Sequence, residues 1–423
     1  MTPDLGDRSG SPLRIGYVLG TTAGGTGPHV AMLARGCASR GMAVRVFGPA
    51  ETGRRYFTGP GLGGARGRDG AAGLGGAAGL GGARGQDGAA PRPGGVPWFA
   101  AVEMADRPRP AHDLAAVLRL RRLLRDWAPD VVHAHGLRAA AFAALATAGR
   151  PSPLVVTVHN APPANGPGRA VHAALERLAA RRSAAVSWVS GDLAARMRRA
   201  RARDGGRAVV AAPGSAPPEP DQVAAARADL GEPGRPVVFA AGRLAEQKGF
   251  AVLIEAAARW QARDPAPVLA IAGEGPLGAA LAGQARTAGV PVRFLGRRAD
   301  VPALMAAADV VVVPSLWEGQ PLVVQEALRA GRPLVASRAG GIPDLTGEDG
   351  ALLVPAGDAG ALAAAVLTVL DDHGVADRLR SVATQRGAAL PNAQDAVDSA
   401  VALYRRVIRA AGGPAEQKTL NRP

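Results

Sequence analysis

Short apolar runs alternate with longer amphipathic stretches along most of the chain. The runs are rich in valine and alanine, and their almost continuous apolar character is typical of strands buried on both faces of a sheet. The intervening stretches repeat Ala, Leu and Arg at helical spacing. This alternation predicts parallel sheets that are covered by helices on both faces. The predicted strands are Arg14–Leu19, Ala43–Phe47, Asp130–His133, Leu154–Val158, Ala185–Val189, Ala208–Ala211, Val237–Ala241, Val268–Ala272, Val292–Leu295, Asp309–Val313, Leu334–Ala336 and Leu352–Val354.

A Pro- and Gly-rich break at Pro213–Pro236 divides the predicted strands into two sets. We therefore predict two doubly wound, Rossmann-like α/β domains, over residues 13–212 and 213–390. A last predicted helix, within residues 391–412, is compatible with either domain, including a return to the N-terminal one. Ligands of such sheets bind at the carboxyl ends of the strands, so the two domains are expected to face a cleft that holds the site.

Glycine is concentrated in one segment of the first domain. Residues 59–95 hold 16 of the 57 glycines, and Gly61–Ala72 nearly recurs as Gly79–Ala90. Such a tract buries too little to offset its chain entropy, so we expect a disordered surface insert. A functional glycine loop is the alternative, although phosphate-binding loops are short and join a strand to a helix.

The charge of the 423-residue chain is also uneven. The net charge is +15, and 48 of the 50 cationic residues are arginine; residues 119–207 alone carry 16 arginines and five acidic residues. Solvated helix faces are the simple interpretation, and a surface for anionic lipid or an acidic acceptor is the other. With only 15 Phe, Trp and Tyr for base stacking, nucleic acid is disfavoured. The single cysteine, Cys37, excludes an internal disulfide.

Candidate ligand-binding groups of the first domain follow its predicted strands. The first strand leads through Gly24, Gly25 and Gly27 into a helix, an arrangement in which backbone N–H groups and the helix dipole favour a phosphate. A plain tight turn is the alternative. His133 and His159 end two later strands; His133 can simply be packed, whereas His159 can hydrogen-bond a ligand hydroxyl or phosphate.

In the second domain, Arg243 and Lys248 flank a predicted strand-to-helix turn and could clamp a diphosphate. Lys248 is notable because every other cation before residue 418 is arginine. Farther on, Glu318 precedes a predicted helix that carries Glu326 on the face of Leu322, which we expect to be apolar. A carboxylate there needs partners, and ligand hydroxyls are suitable ones.

These residues carry a resemblance to a known family. The pair Glu318 and Glu326, Gly242-Arg243-Leu244 with Lys248-Gly249, Gly273-Glu274-Gly275-Pro276 and Gly340-Gly341-Ile342-Pro343 together resemble family 4 of the retaining glycosyltransferases. This family, also called group 1, has the GT-B fold. The N-terminal half is similar more loosely, through the glycine loop, His133-Ala134-His135-Gly136 and Val158-His159. The resemblance covers about residues 13–58 and 96–411.

The resemblance implies a role for each matching residue. Glu318 and His159 would be catalytic, at the donor sugar and the transferred sugar. The donor diphosphate would be bound by Arg243, Lys248, the glycine loop and backbone amides near Gln320 and Leu322. The donor ribose would be bound by Glu326. The chain departs from the family pattern at Pro213-Gly214, where the family has a linker contact, at Asn160, which follows the histidine, and at Gln320-Pro321, beside the implied donor-sugar pocket.

The expected function is therefore a retaining transfer of a sugar from a nucleotide-diphosphate sugar to a glycan, lipid-linked or small-molecule acceptor. No metal or other cofactor is expected. The alternatives are a nucleotide-sugar epimerase, a glycogen synthase-like polymerase, or a non-catalytic basic protein that binds membranes or nucleic acid. Since no segment reads as a signal peptide or membrane span, we expect a cytoplasmic protein, either free or peripheral at the inner membrane face.

Overall fold

The computed structural model describes residues 12–22, 24–57, 97–104, 109–159, 168–212, 217–231 and 233–412. Its N-terminal part contains a sheet of seven parallel strands in the order β3-β2-β1-β4-β5-β6-β7. The strands are β1 Arg14–Leu19, β2 Ala43–Gly48, β3 Trp98–Ala101, β4 Val131–His135, β5 Leu154–Val158, β6 Ala185–Trp188 and β7 Gly205–Arg207. The helices are α1 Thr26–Ser39, α2 Ala50–Tyr56, α3 Pro110–Trp127, α4 Leu137–Ala146, α5 Gly168–Arg182 and α6 Gly191–Arg199.

The C-terminal part contains a second parallel sheet, with six strands in the order β10-β9-β8-β11-β12-β13. The strands are β8 Val237–Ala241, β9 Val268–Ala272, β10 Val292–Gly296, β11 Val310–Val313, β12 Leu334–Ser337 and β13 Leu352–Val354. The helices are α7 Pro220–Leu230, α8 Phe250–Arg259, α9 Gly278–Thr287, α10 Val301–Ala307, α11 Leu322–Arg329, α12 Ile342–Thr346, α13 Ala359–Asp371, α14 His373–Ala389 and α15 Ala393–Gly412, and Glu246–Lys248 forms one 3₁₀ turn.

Each sheet is covered on both faces, as the continuous apolar strands predict. In the first sheet, Val132 and Val156 point to the cluster under α3 and α4, while Val131 and Val155 point to the cluster under α1. Neighbouring residues of one strand therefore belong to opposite cores, so the interior positions of the strands are mostly apolar. The predicted class of two doubly wound α/β domains is confirmed.

The last helix, α15, packs on the N-terminal domain. Val397, Val401 and Tyr404 are buried in the same cluster as Ile15 and other residues of β1 and α1. A Cβ on Gly36 of α1 would lie 2.4 Å from Val397 Cγ2, so the two helices meet closely at that glycine. None of the described helices is by itself long and apolar enough to cross a bilayer; α13 and α14 reach that length and composition only as a pair bent by 97°.

Two predicted features differ from the structure. Strand β3, which the apolar pattern missed, is a half-buried edge strand paired with β2. The predicted strand Ala208–Ala211 is wrong, because β7 ends at Arg207. Beyond it, Val210 O accepts a hydrogen bond from Gln325 Nε2 (2.8 Å), and Gln325 Oε1 accepts one from Ala212 N (2.9 Å). A buried side chain of α11 thus takes the place of a neighbouring strand. The predicted insert, 59–95, and the start of the predicted break, 213–216, lie outside the described residues.

Candidate active site

The carboxyl ends of both sheets face a cleft of about 730 Å³ between the domains. Most of the predicted site residues line it, although they come from loops that lie far apart in the sequence. Gly27 and Glu326 are not part of the lining. The predicted residues that do line the cleft are Gly24, Gly25, His159, Arg243, Lys248, Glu318, Gln320 and Leu322.

The glycine loop presents the start of α1 to this cleft. Helix α1 has Gly25 as its N-cap, without a side-chain cap and without an acidic residue in its first turn, so its first amides favour an anion. A Cβ on Gly25 would lie 2.9 Å from Leu322 Cδ1 of the other domain. Gly27 has a different role: a Cβ there would lie 2.3 Å from the Tyr56 ring, so it is required for packing.

Close packing of two loops brings the cationic and acidic groups of the C-terminal domain together. Gly249, at φ +65°, has no room for a Cβ, which would lie 1.9 Å from Pro314 O. Nearby, Leu316 N donates to Gln247 O over 2.8 Å. The turn after β8 is thereby held against the loop after β11, which places Lys248 beside Glu318.

The Glu318 carboxylate is buried, at 6% exposure, and is held by three side chains. Lys248 Nζ forms an ion pair with Oε1, Ser315 Oγ donates to the same oxygen over 2.8 Å, and Gln247 Nε2 lies 3.4 Å from Oε2. The lysine that the sequence assigned to a diphosphate therefore also compensates a buried carboxylate. Arg243, by contrast, is exposed at the cleft and makes no ion pair with any residue that the structure describes.

The two domains touch at Gly319, directly after this carboxylate. A Cβ on Gly319 would lie 1.8 Å from His159 O and 3.1 Å from Val189 Cγ2, both in the N-terminal domain. Behind it, Gly341 N donates to Gly319 O over 2.8 Å. The loop is thus confined between the glycine turn after β12 and the end of β5, and only glycine fits there.

His159 belongs to a group of buried histidines that the sequence did not predict as a unit. Its Nε2 lies 2.9 Å from Nδ1 of His135, whose strand pairs with that of His159. The ring of His29, from the first turn of α1, lies 6.1 Å from both of these rings. His29 and His135 also line the cleft; a polar aromatic residue at a strand end or a helix start is the signal that could have indicated them.

His133 is a structural member of the same group. Its Nδ1 lies 2.7 Å from the hydroxyl of Tyr404 on α15, and its Nε2 lies 2.7 Å from Thr157 Oγ1. The Tyr404 hydroxyl donates in turn to that of Tyr17 over 3.0 Å. Both ring nitrogens are satisfied away from the cleft, in keeping with the simpler interpretation of His133 as a packed residue.

Burial keeps these imidazoles neutral. Desolvation lowers the pKa of His29 to about 4; desolvation, with the charge of His29 as a smaller cause, lowers the pKa of His133 to about 3. Desolvation, and secondarily the neighbouring histidines, lowers the pKa of His135 and of His159 well below 6.5. At neutral pH, His159 therefore offers a neutral donor or acceptor, and its tautomer depends on the hydrogen bond with His135.

Contrary to the sequence prediction, Glu326 does not lie on the apolar face of its helix. The buried residues of α11 are Val324, Gln325, Ala327 and Leu328, whereas Leu322 and Glu326 are half-buried. Burial raises the pKa of the Glu326 carboxyl, an effect that Arg329 partly opposes. No described residue makes a hydrogen bond to this carboxylate.

Two family models match the chain: "Glycosyl transferase 4-like domain" over residues 24–214 and "Glycosyl transferases group 1" over residues 235–372. The chain is 34% identical over 333 residues to the 2-deoxystreptamine N-acetyl-D-glucosaminyltransferase of Streptomyces fradiae, covering 71% of this chain and 77% of that one. It is also 34% identical to the glycogen synthase of Mycobacterium tuberculosis over 287 residues, covering 64% and 68%.

Solved structures with the same architecture include Anabaena HepE in complex with UDP and glucose (TM-score 0.70, 20% identity), which covers 92% of this chain and 99% of that one. Another is the sucrose-phosphate synthase of Thermosynechococcus elongatus (TM-score 0.71, 21% identity), at 94% and 100%. These likenesses confirm the predicted GT-B architecture of two facing domains.

Proposed function

The chain belongs to the group 1 family of glycosyl transferases, and from this we propose that it transfers a sugar from a nucleotide-diphosphate sugar to an acceptor hydroxyl with retention of configuration. The observation that carries the proposal is the Lys248–Glu318 pair, held at a cleft between two helix N-termini. Complexes of similar structures with UDP and with UDP-glucose support a UDP-sugar as the first donor to test.

The diphosphate of the donor would lie between a cation of the C-terminal domain and helix N-termini of both domains. Arg243 is exposed at the cleft with its guanidinium unpaired by the described residues, and the uncapped amides of α1 and α11 point to the same space. These groups are suited to stabilise the charge that develops as the diphosphate leaves. The proposed transfer therefore needs no metal ion.

Glu318 would bind hydroxyls of the donor sugar. Ser315 and Lys248 both occupy Oε1, and only a long contact to Gln247 reaches Oε2, so Oε2 has acceptor capacity left for a ligand. Lys248 would bridge this carboxylate and a phosphate oxygen. His159, neutral and oriented by His135, would hydrogen-bond the transferred sugar from the opposite wall.

The reaction itself is a displacement at the anomeric carbon. The bond from this carbon to the acceptor oxygen forms on the face from which the bond to the phosphate oxygen breaks. The acceptor proton passes to the departing diphosphate, so no protein base is required.

The test combines donor screening with product analysis. UDP-, GDP- and ADP-sugars are compared for thermal stabilisation of the full chain, and the best donor is incubated with candidate acceptors. Mass spectrometry should detect a glycosylated acceptor, and NMR an anomeric configuration equal to that of the donor. Absence of stabilisation by every nucleotide sugar, or an inverted product, would refute the proposal.

An epimerase and a glycogen synthase-like polymerase are the alternatives within this fold. The epimerase would return a changed nucleotide sugar without an acceptor product. The likeness to a glycogen synthase favours including an oligosaccharide among the acceptors, because a polymerase would extend it repeatedly.

We also propose that helix α3 brings the protein to the inner face of the cytoplasmic membrane. Leu114 and Leu118 are 60% and 57% exposed, and exposed arginines follow them on the same helix. An apolar ridge beside cationic side chains suits an anionic lipid surface. Sedimentation with vesicles that contain phosphatidylglycerol should pellet the protein, and replacing both leucines by serine should release it.

A further inference from the structure

A second cavity, of about 310 Å³, lies behind the histidines between the N-terminal sheet and α15. We call it the back cavity. Its walls come from α1, from strands β4 to β7 with the residues that follow them, and from α15. His29 is the one described residue that lines both this cavity and the cleft, so the two spaces are separated by its ring.

The lining of the back cavity combines hydroxyls and guanidinium groups. Thr157, Ser187 and Ser399 contribute hydroxyls, and Arg207 and Arg406 contribute cations. None of the described residues that line it is acidic. The remaining wall is mostly alanine, valine and leucine. This combination suits a small molecule that carries both hydroxyls and an anionic group.

The two arginines can exchange their present aspartate partners for an anionic ligand. Arg207 is paired with Asp344 over 3.3 Å and Arg406 with Asp204 over 3.0 Å, and both arginine side chains are about half exposed. Exposed pairs of this kind contribute little to stability, whereas a phosphate can engage a guanidinium through two parallel hydrogen bonds. An incoming anion can therefore replace the aspartates at modest cost.

The wall shared with the cleft has an unmatched polar atom. His29 is only 2% exposed, and its Nδ1 has no hydrogen-bond partner among the described residues. A buried ring nitrogen without a partner is unfavourable, and a ligand on either side of this ring can complete its hydrogen bond. This observation is independent of the two arginines.

We propose that the back cavity is a second ligand site, for a hydroxylated anion of about the size of a monosaccharide phosphate. The phosphate lies between Arg207 and Arg406, and the hydroxyls face Ser187 and Ser399. Because this site is separate from the cleft, the proposal does not rest on the sugar transfer, and the two can fail independently.

Isothermal titration of the full chain with glucose 6-phosphate tests this site, with saturating UDP present to occupy the phosphate subsites of the cleft. Binding should persist under UDP. Arg406→Ala should weaken it about tenfold, as expected for the loss of one charge-assisted contact. Arg405→Ala is the matched control, because Arg405 is the exposed neighbour on α15 outside the cavity and should bind like wild type.

Ser399→Leu, which fills part of the cavity, should abolish the binding, and circular dichroism should verify that each variant is folded. Should Ser399→Leu fail to fold, the Arg406 and Arg405 pair decides alone. No binding by the wild-type chain, displacement by UDP, or equal effects of the two arginine variants would each overturn the proposal.

Discussion

Replacement of Gly319 by alanine is expected to separate the two domains without unfolding either one. The new Cβ would start 1.8 Å from His159 O, and real Cβ contacts essentially never fall below 3.0 Å. The distance between residue 319 and His159 O must therefore increase by more than 1 Å, and this shift moves His159 away from the donor sugar. A misplacement of about 1 Å costs roughly a hundredfold in rate, so we expect kcat/KM to fall by about that factor.

Two measurements on Gly319→Ala and one control variant distinguish a displacement of His159 from a general loss of structure. The affinity for UDP should fall much less than kcat/KM, since Arg243 and α11 both belong to the C-terminal domain and only the α1 amides move away. The thermal unfolding temperature should stay close to that of wild type. Gly283→Ala, in α9, is the control: its new Cβ has ample space and should stabilise the helix by about 0.5–1 kcal/mol. Wild-type kcat/KM in Gly319→Ala, or its global unfolding, would refute the reasoning.

Three further predictions concern the buried polar groups. Lys248→Ala leaves the Glu318 carboxylate without its cation, so transfer should be lost and urea denaturation should show about 3 kcal/mol lower stability. Tyr404→Phe removes the partner of His133 Nδ1 and should cost about 1–3 kcal/mol in thermal unfolding. The pKa of His29 is about 4 in the folded chain, against an ordinary value of 6.5. The unfolded chain therefore takes up this proton first as the pH falls. The contribution of His29 to stability should be constant above about pH 6.5 and fall by about 3 kcal/mol toward pH 4.

The Lys248→Ala prediction has a matched control. Arg259→Ala breaks an exposed helical ion pair with Glu255 and should cost less than about 1 kcal/mol; an equal loss in Lys248→Ala would contradict the role of burial. His29→Asn should remove only the share of the pH dependence that belongs to His29, because burial also lowers the pKa of His133, His135 and His159. Unchanged unfolding of Tyr404→Phe would show that its hydrogen bond to His133 is not stabilising.

The strands and the order of their helices could be predicted from the sequence because both follow from local patterns. Leu154–Val158 and Val268–Ala272 have the bounds that the apolar runs indicated. The pattern failed where local composition was not decisive. Trp98–Ala101 is a short, half-buried edge strand. In Ala208–Ala211, the carbonyl of Val210 accepts its hydrogen bond from the side chain of Gln325 and not from a strand.

The candidate site could be predicted as a set of residues but not as a set of contacts. Lys248 and Glu318 were assigned to different parts of the ligand, yet they pair across 70 positions because β8 and β11 are neighbours in the sheet. His133 likewise meets Tyr404 across 271 positions because α15 returns to the first domain. Sequence spacing contains no information on such pairs.

What the sequence by itself determined is the presence of two parallel-sheet domains, the glycine turns, and the residue types at the strand ends. The tertiary structure alone decided which of these residues touch: that Gly27 packs under Tyr56, that Glu326 lies beside the apolar face of α11, and that Gly319 contacts His159 O. The physical reason is that an apolar run or a turn depends on neighbours along the chain, whereas burial and pairing depend on the strand order and on how the two domains face each other.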